Sequence, residues 1–185
     1  MPVLQIIIGS TRPVRSGQPV AEWLASVARA DGRFDVEVVD LKEVGLPLLD
    51  EPHHPRLQQY THEHTRQWSS VISRGDAYIF VHPEYNHGYN AALKNALDYL
   101  FLEWRGKPAS FAGYGGVSGG LRATQMLKQV AHSLGLHIAS NAVVIPFVGT
   151  MISDGRFTPT AEITASASAT LDDLDALVRV FQSVG

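Results

Sequence analysis

The chain contains no cysteine. Disulfides, thiolate nucleophiles, cysteine-ligated iron–sulfur clusters and paired-thiol redox chemistry are therefore all excluded, and any electron transfer must be carried by a bound group. Positive charge is not in excess: 15 Lys and Arg stand against 18 Asp and Glu, a net charge of -3. That argues against a nucleic-acid binder, which carries a basic face, and less strongly against a very acidic electron carrier. No apolar run is long enough to span a bilayer. No charged leader or cleavage site precedes Val3–Ile8, so a cytoplasmic protein is expected. Internal repeats and low-complexity tracts are also missing. With 45% hydrophobic and 18% charged residues over 185 positions, the chain reads as one globular α/β domain over 1–185 with a substantial core.

What is present is a strict alternation of short apolar runs and amphipathic stretches. Strands are expected at Leu4–Ile8, Val36–Asp40, Ala77–Val81, Ala109–Gly113 and Ile138–Val144. They are rich in β-branched and aromatic residues and almost continuously apolar, as parallel strands covered on both faces should be. Helices are expected at Pro19–Arg29, Leu57–Ser73, Asn90–Phe101, Gly120–Leu134 and Thr160–Phe181. Strand-then-helix order with right-handed crossovers gives a three-layer, doubly wound parallel sheet of five strands in the order 2-1-3-4-5. Two segments are irregular. Gly45–Arg56 carries Pro47, Pro52 and Pro55 and reads as a stiff surface loop; Pro146–Thr158 holds the turn Ser153-Asp154-Gly155 and reads as a small hairpin.

Ligands of open α/β sheets bind beyond the carboxyl ends of the strands, and three loops there carry unusual chemistry. The first, Gly9-Ser10-Thr11-Arg12-Pro13-Val14-Arg15-Ser16-Gly17, sets hydroxyls, backbone amides and two arginines at a helix N-terminus, an anion site by charge and by donor geometry. It is not a triphosphate loop, because no Gly-Lys-Ser/Thr follows; a single terminal phosphate suits it better. A polar turn capping the helix is the alternative. The second, Pro83-Glu84-Tyr85-Asn86-His87-Gly88, is a rigid aromatic rim; a turn in which Tyr85 covers the core edge and Asn86 caps the next helix is the alternative. The third, Gly113-Tyr114-Gly115-Gly116-Val117-Ser118-Gly119-Gly120, lets backbone approach a flat ligand, or is simply a tight turn. It departs from the dinucleotide fingerprint, with Ser118 where the last glycine belongs and a position late in the chain. With strand order 2-1-3-4-5 the three loops converge on one crevice. A planar ring with one phosphate tail fits all three, and FMN is the obvious candidate.

Gly9-Ser10-Thr11-Arg12, Pro83-Glu84-Tyr85-Asn86, Leu93-Lys94-Asn95-Ala96-Leu97-Asp98-Tyr99 and Gly115–Gly120 together resemble the NADPH-dependent FMN reductase family of flavodoxin-like proteins, which includes quinone, azo-dye and chromate reductases. The resemblance runs from the first strand to about the fifth. It implies that Ser10, Arg12 and Ser16, in a loop that also offers Thr11, Arg15 and Gly17, hold the FMN phosphate. It further implies that Pro83, Glu84, Tyr85 and Asn86 line the ring edge, and that Gly115 and Gly116, followed by Val117, approach the ring. His82 stands where a small hydroxylated residue is expected, and His87 where something smaller often sits. The implied activity is an FMN-dependent NAD(P)H oxidoreductase, with NADPH or NADH as hydride donor and quinones, azo compounds or free flavin as acceptors. A flavodoxin-type electron carrier and a flavin-binding redox regulator are the alternatives.

Other residues invite readings that their spacing does not support. His62-Glu63-His64 is not a zincin helix, since position 66 is Arg, and helical residues two apart do not share a face; packing or solvated histidines are expected rather than a metal site. The resemblance implies a structural role for Glu84, and since hydride chemistry at a flavin requires no side-chain base, no catalytic side chain is assigned. The run Tyr99-Leu100-Phe101-Leu102 with Trp104 is apolar around more of a helix than one buried face needs. It is either a core helix end or a contact between chains. The resemblance favours the second, a homodimer or homotetramer whose partner helps wall the flavin site.

Overall fold

Strands that are apolar on both sides need helices on both sides, and the chain supplies them. The computed structural model describes residues 1–184. Strands β1 (Val3–Ile8), β2 (Asp35–Asp40), β3 (Ala77–Pro83) and β4 (Pro108–Tyr114) run parallel, and two short strands, β5 (His137–Ile138) and β6 (Val143–Ile145), both pair with β4. The order β2-β1-β3-β4-β5 is the expected one. Helices are α1 (Gly17–Asp31), α2 (Leu41–Val44), α3 (Glu63–Ser73), α4 (Ala91–Asp98), α5 (Leu121–Ser133) and α6 (Ala161–Val184).

The strand period of two divides the core. Leu4, Ile6 and Ile8 of β1 and Ile79 and Val81 of β3 meet Val20 and Leu24 of α1 and Leu171 and Leu174 of α6. Ile7, Tyr78 and Phe80 face the other way, onto Trp68 of α3, Leu97 of α4 and Leu127 of α5. Each fully buried aliphatic or aromatic side chain of this kind contributes about 1.5–3 kcal/mol. Among the described residues no helix is long and apolar enough to cross a membrane.

Three expectations need correction. The fifth strand is not continuous over Ile138–Val144: it leaves the sheet between β5 and β6. There the Ser110 hydroxyl donates to the Asn141 carbonyl and the Asn141 N–H donates to Asp173, both at 2.7 Å, so the backbone is held by side chains instead of a ladder. The helix expected from Leu57 begins only at Glu63. Pro55–Leu57 form one 3₁₀ turn that ends at Gln58 with φ 50°. The Glu51 carboxylate then takes the N–H groups of Thr61 and His62 (2.8 and 3.0 Å), which a continuous helix would direct to its own carbonyls. The hairpin at Ser153-Asp154-Gly155 does form, as β7 (Ile152–Ser153) and β8 (Arg156–Phe157) around left-handed Asp154 and Gly155.

The third correction concerns the aromatic run after α4, which ends at Asp98 rather than Phe101. Trp104 is fully buried, its ring packs edge-on against Trp68 and Tyr78, and its indole N–H donates to the Leu97 carbonyl at 3.2 Å. Tyr99 and Leu100 are buried with it. Trp104 is a core residue, not a contact between chains. Trp104→Ala is therefore expected to lower unfolding free energy by about 3–5 kcal/mol in a denaturant titration. Trp104→Glu should abolish near-ultraviolet circular dichroism, whereas a folded monomer on a sizing column would show that the residue faces a partner.

Candidate active site

Parallel register brings the ends of β1, β3 and β4 to one level. Ile8 pairs with Val81 and Pro83 with Tyr114. The Gly9 N–H continues the ladder onto the Val81 carbonyl, and the Glu84 N–H continues it onto the Tyr114 carbonyl, each at 2.9 Å. The three loops thus leave the same edge side by side. They enclose a crevice of about 180 Å³ lined by Ser10, Arg12, Val14, Arg15 and Ser16 from the first, Pro83, Glu84 and Tyr85 from the second, Tyr114 and Gly115 from the third, and Val148. Of the residues singled out from sequence, Thr11, Gly17, Asn86, Gly116 and Val117 lie outside this lining.

The two arginines of the first loop differ sharply. The Arg15 guanidinium binds both carboxylate oxygens of Asp40, at the end of β2, with Nη1 2.7 Å from Oδ1, and the same Nη1 donates to the Ser10 carbonyl at 2.8 Å. Its charge is neutralised and its donors hold the loop in shape. Arg12 has no carboxylate partner among the described residues, and its guanidinium lies 5.9 Å from the centre of the Tyr85 ring across the crevice. Helix α1 begins with no side-chain cap and no acidic residue in its first turn, so its positive end is uncompensated. The Ser10 and Tyr114 hydroxyls are buried and, beyond their approach to each other, without a hydrogen-bond partner. They stand close enough for Ser10 to ease Tyr114 ionisation, but burial dominates and pushes the phenol well above its usual range. A free cation, an open helix end and two hydroxyls with no partner beyond each other at one spot suit an oxyanion with neighbouring polar groups.

The second loop is a two-residue hairpin. Tyr85 and Gly88 exchange both backbone hydrogen bonds at 2.9 Å around Asn86 and His87, whose φ values are 49° and 70°. Before it, the Glu84 carboxylate accepts from the Ser118 hydroxyl (2.7 Å), the Arg122 Nε (2.7 Å) and the N–H groups of Arg122 (3.0 Å) and Ala123 (3.3 Å). Burial works to raise the Glu84 pKa, but these donors outweigh it and hold the carboxyl below its usual range. Glu84 caps α5 and ties the second loop to the third.

His82, fully buried at the end of β3, lies behind the crevice. Its Nδ1 is 3.3 Å from the Pro83 carbonyl and its Nε2 3.1 Å from the Thr124 hydroxyl. The Thr124 hydroxyl donates to the Gly120 carbonyl at 3.0 Å, so in a neutral ring Nε2 carries the proton and donates to that hydroxyl. Burial lowers its pKa to about 4.

In the third loop the glycine requirement is largely internal. A Cβ on Gly120 (φ 84°) would stand 2.5 Å from the Tyr114 nitrogen, so β4 itself demands glycine there, whereas one on Gly116 would meet open space. Tyr114 and Val148 escape sequence reading as crevice residues. An aromatic between glycines at a strand end was the only hint for Tyr114. Val148 arrives because the turn after β6 folds back, its N–H donating to the Gly115 carbonyl at 3.2 Å. Away from the crevice, the His62 and His64 rings stack 5.1 Å apart, with His64 Nε2 3.0 Å from an Asp50 carboxylate oxygen, and pin the proline-rich loop.

A doubly wound parallel sheet with an anion-ready first loop, an aromatic second loop and a glycine-rich third defines a flavodoxin-like protein. The FMN-reductase resemblance is borne out: the profile of the NADPH-dependent FMN reductase family matches residues 1–150, and the chain belongs to that family of oxidoreductases. An NAD(P)H-dependent FMN reductase of Schizosaccharomyces pombe is 40% identical over 165 residues, 88% of this chain and 82% of that protein. One from Saccharomyces cerevisiae is 36% identical over 157 residues, 79% of this chain and 82% of that protein. A quinone reductase of Pseudomonas putida (30% identical, 67% of this chain and 66% of that protein) and an NADPH azoreductase of a Bacillus species (26%, 98% and 93%) are further relatives. In fold, the flavoenzyme NAD(P)H:(acceptor) oxidoreductase of Paracoccus denitrificans superposes with a TM-score of 0.74 at 23% identity, over 99% of this chain and 98% of that one.

The depressed His82 pKa has a signed consequence. The unfolded chain takes up a proton near pH 6.5 and the folded chain only near pH 4, so stability is complete above pH 6.5 and is lost as pH falls through that interval. The loss is on the order of 3 kcal/mol. In His82→Gln, unfolding free energies measured between pH 7 and pH 4 should lose most of that slope.

Proposed function

We propose that the chain is an FMN-dependent NAD(P)H oxidoreductase that works as one domain and passes hydride to quinone, azo or flavin acceptors. The observation that carries the reading is the Ser10–Arg12–Tyr114 group: buried hydroxyls with no partner beyond each other, a guanidinium with no carboxylate partner among the described residues, and an open helix end. That donor set suits a monophosphate ester with a polyhydroxyl chain, which is the tail of FMN. FMN, when bound, supplies the two-electron relay between nicotinamide and acceptor. The protein does the rest.

Arg12, Ser10, Ser16 and the first amides of α1 hold the phosphate. Arg15 is assigned to the loop's shape, because its charge is already met by Asp40. Pro83–Tyr85 and Gly115 lie side by side as one edge over which a flat ring can lie, and Tyr85, 37% exposed, offers an aromatic surface where a second planar molecule can stack. No side chain in the crevice needs to take or give a proton for hydride to move. Pairing of chains remains part of the proposal, without Trp104; light scattering tests it.

Purified protein reconstituted with FMN should show flavin absorbance that bleaches anaerobically on adding NADPH or NADH and returns on adding a quinone. Failure to bleach would refute the oxidoreductase reading, and a persistent one-electron form with negligible NAD(P)H oxidation would mark an electron carrier. Arg12→Ala should weaken FMN binding by about 2 kcal/mol, some thirtyfold, in a fluorescence titration, with little change in thermal stability. Arg15→Ala should show the opposite balance, costing about 3 kcal/mol of stability by leaving Asp40 unpaired.

A further inference from the structure

We propose that Glu84, Arg122 and His87 form a brace that holds the Tyr85 turn in place at the rim of the crevice, and that Arg122 is thereby a positioning residue for the hydride transfer proposed above, on which this inference rests. The starting point is an anomaly in the backbone. The turn between Tyr85 and Gly88 has two central residues with positive φ, the mirror-image turn that matches strand twist and calls for glycine at its second central position. That position holds His87 at φ 70°, where a Cβ crowds the following carbonyl. Non-glycine residues held in this region next to a site point to a role for the side chain.

The His87 side chain has one clear partner. Its Nε2 is 2.7 Å from Arg122 Nη1. A guanidinium can only donate, so Nε2 accepts and the ring proton of neutral His87 sits on Nδ1. The same guanidinium gives its Nε to Glu84 at 2.7 Å, and the Arg122 backbone N–H goes to the other oxygen of that carboxylate at 3.0 Å. One side chain at the start of α5 is therefore gripped from both ends of the second loop, by Glu84 where the loop leaves β3 and by His87 at the turn. Glu84 also holds Ser118 of the third loop at 2.7 Å.

The walls of the crevice are built on these two loops. Glu84, Tyr85 and Gly115 line the crevice together, with Glu84 and Gly115 adjacent at the sheet edge. Arg122 lies outside the lining, yet it ties both flanks of Tyr85 to the start of α5 and so fixes where that ring stands. A flat ring and a nicotinamide stacked on it would be held at reacting distance only if the Tyr85 rim keeps its place. Displacements of about 1 Å at such a position cost up to roughly a hundredfold in rate.

Glycine gives the test its sign. Backbone preference alone makes His87→Gly a tighter turn, because glycine suits a left-handed φ; loss of the brace makes it a looser one. The brace predicts that the Tyr85 and Gly88 amides of His87→Gly exchange with deuterium roughly tenfold faster than in the parent, with FMN present and with it absent. It also predicts that NADPH bleaches the bound flavin about ten- to hundredfold more slowly at saturation, with FMN affinity held within about threefold. Arg122→Met should give the same signature with helix content unchanged by circular dichroism. Combining the two changes should slow bleaching no further than the slower single change, since both cut one unit. Slower or unaltered exchange in His87→Gly, an unaltered bleaching rate, or multiplicative effects in the double variant would each overturn the brace. If the parent protein itself takes up no FMN or fails to bleach, the flavoenzyme reading falls, and exchange in the FMN-free protein still decides whether the brace exists.

Discussion

One carboxylate, on the half-buried residue Glu84, organises the working edge of this protein. The Glu84 side chain is 6% exposed and takes donors from Ser118, Arg122 and Ala123. Two of those donors are first-turn amides of α5, which otherwise lack partners and carry the positive end of the helix. A carboxylate so placed is tolerable in a nearly dry position because charge, dipole and hydrogen bonds all oppose the desolvation cost. The second loop is thereby locked to the start of α5 and to the glycine-rich loop, and the crevice takes a defined shape from two strands that are adjacent in the sheet.

The first loop follows the reverse logic. There the helix end is left open and the hydroxyls of Ser10 and Tyr114 are left with no partner beyond each other. Arg15 is committed to Asp40, the last residue of the neighbouring strand, so one cation builds the loop while Arg12 stays available. Saturated polar contacts on one side and unsatisfied ones on the other give the crevice a polarity. The rigid walls provide geometry, and the open end provides affinity for an anion. His82 supports the same arrangement from behind: neutral and buried, it links the end of β3 to Thr124 of α5 without adding charge.

Much of the frame was legible in advance because its signals are local. Residues such as Leu4, Ile6 and Ile8 alternate with Ile7 between two apolar layers, and a strand apolar on both faces has few places to go except the middle of a parallel sheet. The failures share a cause. The helix expected from Leu57 is broken by Glu51, ten residues upstream of Thr61. The fifth strand is interrupted by Ser110 and Asp173. The aromatic run ending in Trp104 reads as a core helix end or a contact between chains until Trp68 and Tyr78 close over Trp104. Each is settled by a partner distant in the chain.

The amino-acid sequence by itself determined the alternation of strand and helix, the strand order, the exclusion of thiol chemistry and the gathering of anion-friendly residues after the first strand. These follow from periodicity and side-chain type, which act over a few neighbouring positions. Only the tertiary structure decided which arginine is free, why Gly120 must be glycine, that Tyr114 and Val148 enter the crevice, and that His87 and Glu84 share Arg122. Those outcomes depend on which groups meet across the sheet edge, and a charge or hydroxyl is available to a ligand only after folding has settled which of its possible partners it has met.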